Sequence, residues 1–327
     1  MENHPKTVAV TGATGFVGRH LCRELTARGH AVRALVRDQT KASRMLPASG
    51  AVEHVVGDAH DSDAVAKLVD GVDACAHLIG IIREAPGGQT FHRIHVGATH
   101  RIVEACTRAG VRRYLHMSAL GASPDGPAEY QKTKFEAERL VINSGLDWTI
   151  FRPGLIHGPD GEFFQQLKGW AEGRAQPFLF MPYFSRVQMN GPPTPFNPPR
   201  FEAPTVAPVY VGDVAKAFAE ALDRPQAVRE VFPLSGPELI TWPEMLRTVR
   251  DTLPQGKKEL RAVGVPGPIA AAQAKLASAV GLGQLLPFDE GMAAMGSRDS
   301  FADLHKAREM LGFDPEPFEQ SLRRYAA

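Results

Sequence analysis

From Lys6 onward, short apolar runs alternate with stretches whose apolar residues recur at helical spacing. KTVAVT is followed by FVGRHLCRELTARG, HAVRALV, VEHVVG, the amphipathic DSDAVAKLVD and VDACAHLIG. GATHRIVEACTRAG, RRYLHMSA, YQKTKFEAERLVINSG and DWTIFRPG continue the rhythm. Strands alternating with helices of this length predict βαβ units, hence an α/β, doubly wound parallel sheet with helices on both faces. Gly29 stands where a helix C-cap glycine belongs, directly before the next strand. Six strands are predicted by residue 153. After Gly154 the alternation breaks. Nine of the 26 prolines fall between Pro177 and Pro208, interleaved with Phe178, Phe180, Tyr183, Phe184, Phe196 and Phe201. Such a stretch reads as neither regular helix nor central strand. It is expected to be an irregular connection packing its aromatics on the core, or a lid over a cleft. VYVGDVAKAFAEALD and EVFPLSG, near residues 205–235, then return a strand, a helix and a strand to the sheet. From Trp242 the tail reads as mostly helical. Residues 262–288 carry a single charge, Lys275, and are too rich in Gly, Ala and Pro to span a bilayer. They are expected to form a helical cover, or a surface for peripheral membrane contact or a hydrophobic ligand. The expected division is a doubly wound domain over 1–157 and a smaller, irregular α/β portion over 158–327.

Composition narrows the partners. With 37 Lys and Arg against 36 Asp and Glu, the net charge of the 327 residues is +1. That excludes a nucleic-acid binder held by counterion release, and a membrane binder steered by charge. No apolar run is long enough for a transmembrane segment. MENHPKTVAV does not read as a signal peptide, and Cys22, Cys75 and Cys106 are too scattered for a disulfide framework or a zinc site. A cytoplasmic protein without a metal centre is expected.

Gly12, Gly15 and Gly18 form G-x-x-G-x-x-G between the first predicted strand and a helix. In that context the glycines permit a tight turn, close approach of a pyrophosphate to backbone N–H groups, and close helix-on-strand packing, the Rossmann arrangement. The helix N-terminus then faces the phosphates. The second strand ends at Val36, where an NAD site usually has an acid, and Arg37 follows with Lys41 four residues later. This favours NADP, whose 2′-phosphate wants a cation; the nearby Asp38 keeps NAD open. Tyr130 and Lys134, at i and i+4, share one helix face, and Ser118 ends the preceding strand. In a nicotinamide enzyme such a trio has a definite chemistry. The lysine and the nicotinamide cation lower the tyrosine pKa, the tyrosine exchanges a proton with a substrate oxygen, and the serine orients that oxygen.

TGATGFVG, VVGD at 55–58, the Ser118, Tyr130 and Lys134 set, FRPG at 151–154 and YVGDVA at 210–215 resemble the extended or atypical short-chain dehydrogenase/reductase superfamily. HLIGII, LHMSALGA, YQKTKFEAE, WTIFRPGLIHGP and TWPEML are similar to the atypical subgroup containing the nucleotide-binding accessory subunit of respiratory complex I. The resemblance implies phosphate contacts from Thr11 to Gly18, especially Gly12, Thr14, Gly15, Phe16 and Val17. It also implies 2′-phosphate contacts from Arg37, helped by Lys41, and adenine contact from Asp58. Leu78, Ile79 and Gly80 would contact the cofactor, Tyr130 and Lys134 the nicotinamide ribose, and Pro153 would lie beside the nicotinamide. His77 to Gly80 replace the usual Asn-Ala-Ala-Gly pattern. His95 stands where an Asn often serves the proton relay, and is expected to hydrogen-bond and to titrate near neutrality.

Two functions stay open: an NADP-dependent oxidoreductase, epimerase or dehydratase acting on a hydroxyl or carbonyl of a small substrate, and a non-catalytic NADP-holding accessory, assembly or redox-sensing protein. The aromatic and uncharged segments favour a hydrophobic substrate over a nucleotide sugar. The resemblance implies a homodimer through the helices flanking the tyrosine, or a monomer in the accessory-subunit-like case.

Overall fold

The computed structural model describes residues 4–47, 50, 52–189, 198–279, 286 and 288–326. The first half contains β1 (Thr7–Thr11), α1 (Phe16–Ala27), β2 (Ala31–Val36), α2 (Gln39–Met45), β3 (Val52–Val56) and α3 (Ser62–Val69). It continues with β4 (Ala74–His77), α4 (Ala98–Ala109), β5 (Arg113–Met117), α5 (Glu129–Ile142) and β6 (Asp147–Pro153). A π-helical stretch, His92–Gly97, leads into α4. The short α2 carries no apolar stripe and was not expected; its start is fixed by Asp38, whose carboxylate accepts the Lys41 N–H.

The second half contains β7 (Ile156–His157), α6 (Glu162–Ala171), β8 (Phe180–Gln188), β9 (Arg200–Glu202), β10 (Thr205–Val206), β11 (Val209–Tyr210) and α7 (Val211–Leu222). There follow β12 (Glu230–Leu234), β13 (Ile240–Thr241), α8 (Trp242–Thr252), β14 (Arg261–Pro266), α9 (Gly267–Ala279), α10 (Glu290–Gly296), α11 (His305–Leu311) and α12 (Phe318–Ala326).

Seven parallel strands form one sheet in the order β12-β6-β5-β4-β1-β2-β3. Both faces are covered, so the strands are apolar on both sides. Val8 and Val10 of β1 face one core with Leu21, Leu25, Phe151, Phe218 and Phe232, which brings α1 and α7 to that side. Ala9 and Cys75 face the other, with Ile102, Val141, Trp148 and Ile150 beneath α3, α4 and α5. Chain order reverses between β1 and β4, and the crevice above their carboxyl ends is where such sheets bind ligands.

A third core, including Phe164, Leu167, Met181, Met245, Leu246 and Phe318, joins α6, α8 and α12 to a small sheet ordered β14-β8-β9. Here the structure corrects the expectation for residues 177–208. β8 is a nine-residue strand at the centre of that sheet. It tolerates Pro182 because β9 pairs only with Arg186–Gln188, so one side of β8 is free of a neighbouring strand at the proline. Residues 190–197, with Phe196, lie outside the described residues, as do 280–285 and 287 of the uncharged segment. The rest of that segment is strand β14 and then α9, which buries Ala270 and Ala274 while Ile269 and Leu276 stay exposed. Among the described residues no helix is long and apolar enough to cross a membrane.

Candidate cofactor and catalytic site

The turn between β1 and α1 is as tight as the glycine spacing predicts. Gly12 has φ +69°, and a Cβ on it would come within 3.1–3.2 Å of the Leu78 and Ile79 backbone. The Gly15 N–H donates to Gly12 O at 2.9 Å and closes the turn. A Cβ on Gly18 would stand 2.1 Å from Gly12 O, so only glycine lets α1 pack this closely on the loop. Gly15 caps α1 without a side-chain hydrogen bond, and no acid lies in the first turn. The N–H groups of Phe16, Val17 and Gly18 therefore have no intrahelical acceptor and point, with the helix dipole, toward an anion. Thr14 is half-buried at the same turn.

Residues not anticipated from sequence hold this helix from the far side. The Phe16 ring fills the space beside Gly158 and Gly161, and Asp160 pairs with Arg19 at 2.9 Å and with His20 at 3.0 Å. Single glycines so far along the chain carried no local signal of that contact.

Arg37 and Lys41 are exposed just past β2. Asp38 spends a carboxylate oxygen on the α2 cap, the Lys41 N–H at 2.9 Å. Asp58 is exposed on the neighbouring strand end, where Gly57 N–H donates to Val36 O at 2.9 Å. Its carboxylate accepts the His60 N–H at 3.0 Å.

Lys134 is buried, and its Nζ donates to Met117 O at 3.0 Å. Gly80 lies against it: a Cβ there would be 2.8 Å from Nζ. Ser118 follows Met117, its N–H donating to Phe151 O at 2.7 Å, and its buried Oγ has no partner among the described residues. Tyr130, one helical turn before Lys134, is half-buried, its ring edge-on to Phe91 at 5.9 Å and to His95 at 5.4 Å. Pro153 is buried at the end of β6, its carbonyl accepting the Leu120 N–H at 2.9 Å. Burial pushes Tyr130 up to about 12. Burial lowers Lys134 to about 8, with the Glu138 carboxylate opposing it. Glu138 is itself neutralised by Arg152, at 2.8 and 2.6 Å.

His95 departs from its expected titration. Burial, then the Lys134 charge, push it down to about 2, so it is neutral at neutral pH. Its Nδ1 is 2.9 Å from Thr133 Oγ1, whose hydroxyl donates to Glu129 O at 2.7 Å, and its Nε2 lies 3.1 Å from the Ile81 N–H and 3.0 Å from the Ile81 carbonyl. His77, which carried no role in the sequence reading, continues this network. Thr99 donates to His95 O at 2.6 Å and accepts from His77 Nε2 at 3.1 Å. His77 Nδ1 accepts from Thr11 Oγ1 at 2.7 Å, beneath the glycine turn. One hydrogen-bonded line thus joins the turn after β1 to the segment that packs on Tyr130.

A crevice at the chain reversal, with a glycine turn and an uncapped helix on one side and Ser118, Tyr130 and Lys134 on the other, defines a dinucleotide-binding α/β protein. Residues 12–168, just under half of the chain, match the family described as NAD(P)H-binding. The chain is 30% identical over 274 residues to NADH dehydrogenase (ubiquinone) 1 alpha subcomplex subunit 9 of Arabidopsis thaliana, covering 81% of this chain and 61% of that one. It is 33% identical over 198 residues to sterol demethylase protein B of Methylococcus capsulatus, covering 53% and 60%. The chain thus spans less than two thirds of either relative's length. UDP-glucuronic acid 4-epimerase from Bacillus cereus, solved in complex with NAD, shares the fold with a TM-score of 0.71 at 18% identity over 98% of both chains.

Proposed function

We propose that the protein is an NADP(H)-dependent oxidoreductase, or an epimerase or dehydratase of the same chemistry, acting on a hydroxyl or carbonyl of a small apolar substrate. The observation that carries this reading is the buried ammonium of Lys134, one helical turn from Tyr130 and bonded to the carbonyl that precedes Ser118. Burying a cation is costly, and a group that merely tied α5 to β5 would do so more cheaply as an apolar residue. The cofactor, held at the uncapped end of α1, supplies or removes hydride. Tyr130 Oη exchanges the proton with the substrate oxygen, Ser118 Oγ orients that oxygen, and Lys134 supports the tyrosinate electrostatically. NADP is supported by Arg37 and Lys41, exposed past β2, and by the prior engagement of Asp38 in the α2 cap. An apolar substrate is supported by Phe91 beside Tyr130, by the Phe184 and Phe288 pair at 5.1 Å, and by a relative named for sterol demethylation. We take residues 1–157 as the cofactor portion and 158–327 as the substrate portion.

A second reading, a non-catalytic NADP-holding accessory protein, is favoured by the relative named as a subunit of NADH dehydrogenase. Tyr130→Phe separates the two. Under the first reading, NADPH oxidation against a panel of ketones, quinones and steroid-like carbonyls is lost in the variant while NADPH binding persists. Activity absent from both proteins, or equal in both, supports the second. Arg37→Ala tests the cofactor: NADPH affinity should fall about tenfold, the worth of a charge-assisted contact, with NADH affinity unchanged.

A further inference from the structure

Residues 286 and 288–300 touch the loops after β4, β5 and β6, on the substrate side of the crevice. After β4, Arg83 is three residues beyond Gly80, and its guanidinium lies 3.4 Å from Leu286 O, 3.6 Å from Met292 Sδ and 3.8 Å from the Asp289 carboxylate. After β5, Ala128 is two residues ahead of Tyr130, and a Cβ on Gly291 would stand 3.2 Å from its methyl. After β6, a Cβ on Gly154 would stand 3.5 Å from the Ser300 hydroxyl. The first turn of α10 therefore bridges the post-β4 loop and the residue just ahead of α5. This stretch, packed on β8 through Phe184 and Phe288 at 5.1 Å, borders the mouth of the crevice.

Asp289 has two duties there. One carboxylate oxygen caps α10, accepting the Met292 N–H at 2.8 Å. Capping needs no charge; Asn or Ser serves as well. The other oxygen faces Arg83, and only that duty calls for an anion. Because Arg83 and Asp289 are each about a third exposed, at 38% and 34%, an incoming anionic group would find the guanidinium with a carboxylate already beside it. A like charge at such a distance is a device for rejecting a substrate, independent of any attraction for the right one.

We propose that Asp289 is a specificity-determining residue: by pairing with Arg83 it leaves the mouth electrically cancelled and lined by Met292 and Phe288, which admits an uncharged apolar substrate and rejects phosphate- or carboxylate-bearing ones. This rests on the reading of the crevice as a substrate site. In the NADPH-saturated protein, inorganic pyrophosphate titrated calorimetrically should bind Asp289→Asn about tenfold more tightly than the unaltered chain, the worth of one freed charge-assisted contact. Asn keeps the cap. Glu290→Gln, the same charge change on an exposed neighbour, should leave binding as it was, and adding Arg83→Gln to Asp289→Asn should return it there. Binding by Asp289→Asn equal to that of the unaltered chain overturns the proposal. So does an equal gain in Glu290→Gln, or a gain that survives loss of Arg83. The readout needs no turnover, so a chain that fails the Tyr130→Phe test on activity still answers this one.

Discussion

Replacing Lys134 by Met should make the protein more stable and catalytically dead. Burial brings the ammonium from 10.5 to about 8, a penalty of about 3 kcal/mol on the charged form at neutral pH. Met fills nearly the same volume without a charge. Met117 O loses its donor, which costs about 1 kcal/mol. Glu138 is not orphaned, because Arg152 holds both of its oxygens. The balance favours the variant by about 2 kcal/mol at pH 7. The sign of the pH dependence follows from the same shift. Between about 8 and 10.5 the unfolded chain keeps the lysine proton and the folded one has released it, so the unaltered protein gains stability as pH rises through that window. Below it the penalty is fully present. Urea denaturation of the cofactor-free protein at pH 7 and pH 10 reads both effects: the variant leads at pH 7, and most of its lead is gone at pH 10. A variant less stable at pH 7, or a lead that does not shrink with pH, refutes the assignment of Lys134 as a desolvated cation.

Gly18→Ala should lose more than it gains. Helix propensity improves by about 1 kcal/mol, but the Cβ would stand 2.1 Å from a backbone oxygen that cannot yield, an overpacking cost of about 1–3 kcal/mol. As α1 backs away, NADPH should bind at least about tenfold more weakly, since each charge-assisted amide contact is worth that much; thermal melting and a fluorescence titration check both. Gly80→Ala meets instead the flexible end of Lys134, at 2.8 Å, so the fold should hold while turnover falls. A melting temperature lowered as far as that of Gly18→Ala would argue against that difference. Tyr325→Phe removes the 2.7 Å bond to His157 Nδ1 and should cost about 1 kcal/mol, read as a lower melting temperature. Burial holds His157 near 3, so the loss should be the same at pH 5 and pH 8.

The glycine turn and the helix after it were legible because their geometry is written locally. Gly12, Gly15 and Gly18 sit within seven residues, and Tyr130 and Lys134 within one helical turn, so spacing alone fixes which atoms can converge. The strands of the sheet were equally plain, being apolar on both faces. Beyond Gly154 the signals were nonlocal. β8 reads as irregular because it contains Pro182, and nothing nearby tells that a parallel strand some 80 residues later pairs with it while its other side stays free at that point. His77 gave no hint of its part, since its partners Thr11 and Thr99 lie 66 and 22 residues away. The pairing of Arg83 with Asp289 is as remote, and α10, with its run of Gly, Ala and Met, offers no periodicity that would single it out.

The histidine at position 95 weighs on the choice between chemistry and simple cofactor holding. An asparagine there would be a neutral donor and acceptor at every pH, and a histidine that charged near pH 7 would set a second cation against Lys134. Desolvation removes that conflict. It lowers Lys134 and the imidazoles alike, but the lysine starts high enough to stay protonated at pH 7, whereas His77 and His95 fall to about 3 and about 2, and His116 is also driven well down. At neutral pH these groups carry one charge among them, on the lysine, and His95 presents one donor and one acceptor as an amide would. The departure from Asn therefore leaves the electrostatics around Tyr130 as the proposed chemistry requires. A protein that only held its cofactor would use this ammonium for the nicotinamide ribose alone, a contact an uncharged donor makes without the cost of a buried charge, and Glu138 is already committed to Arg152.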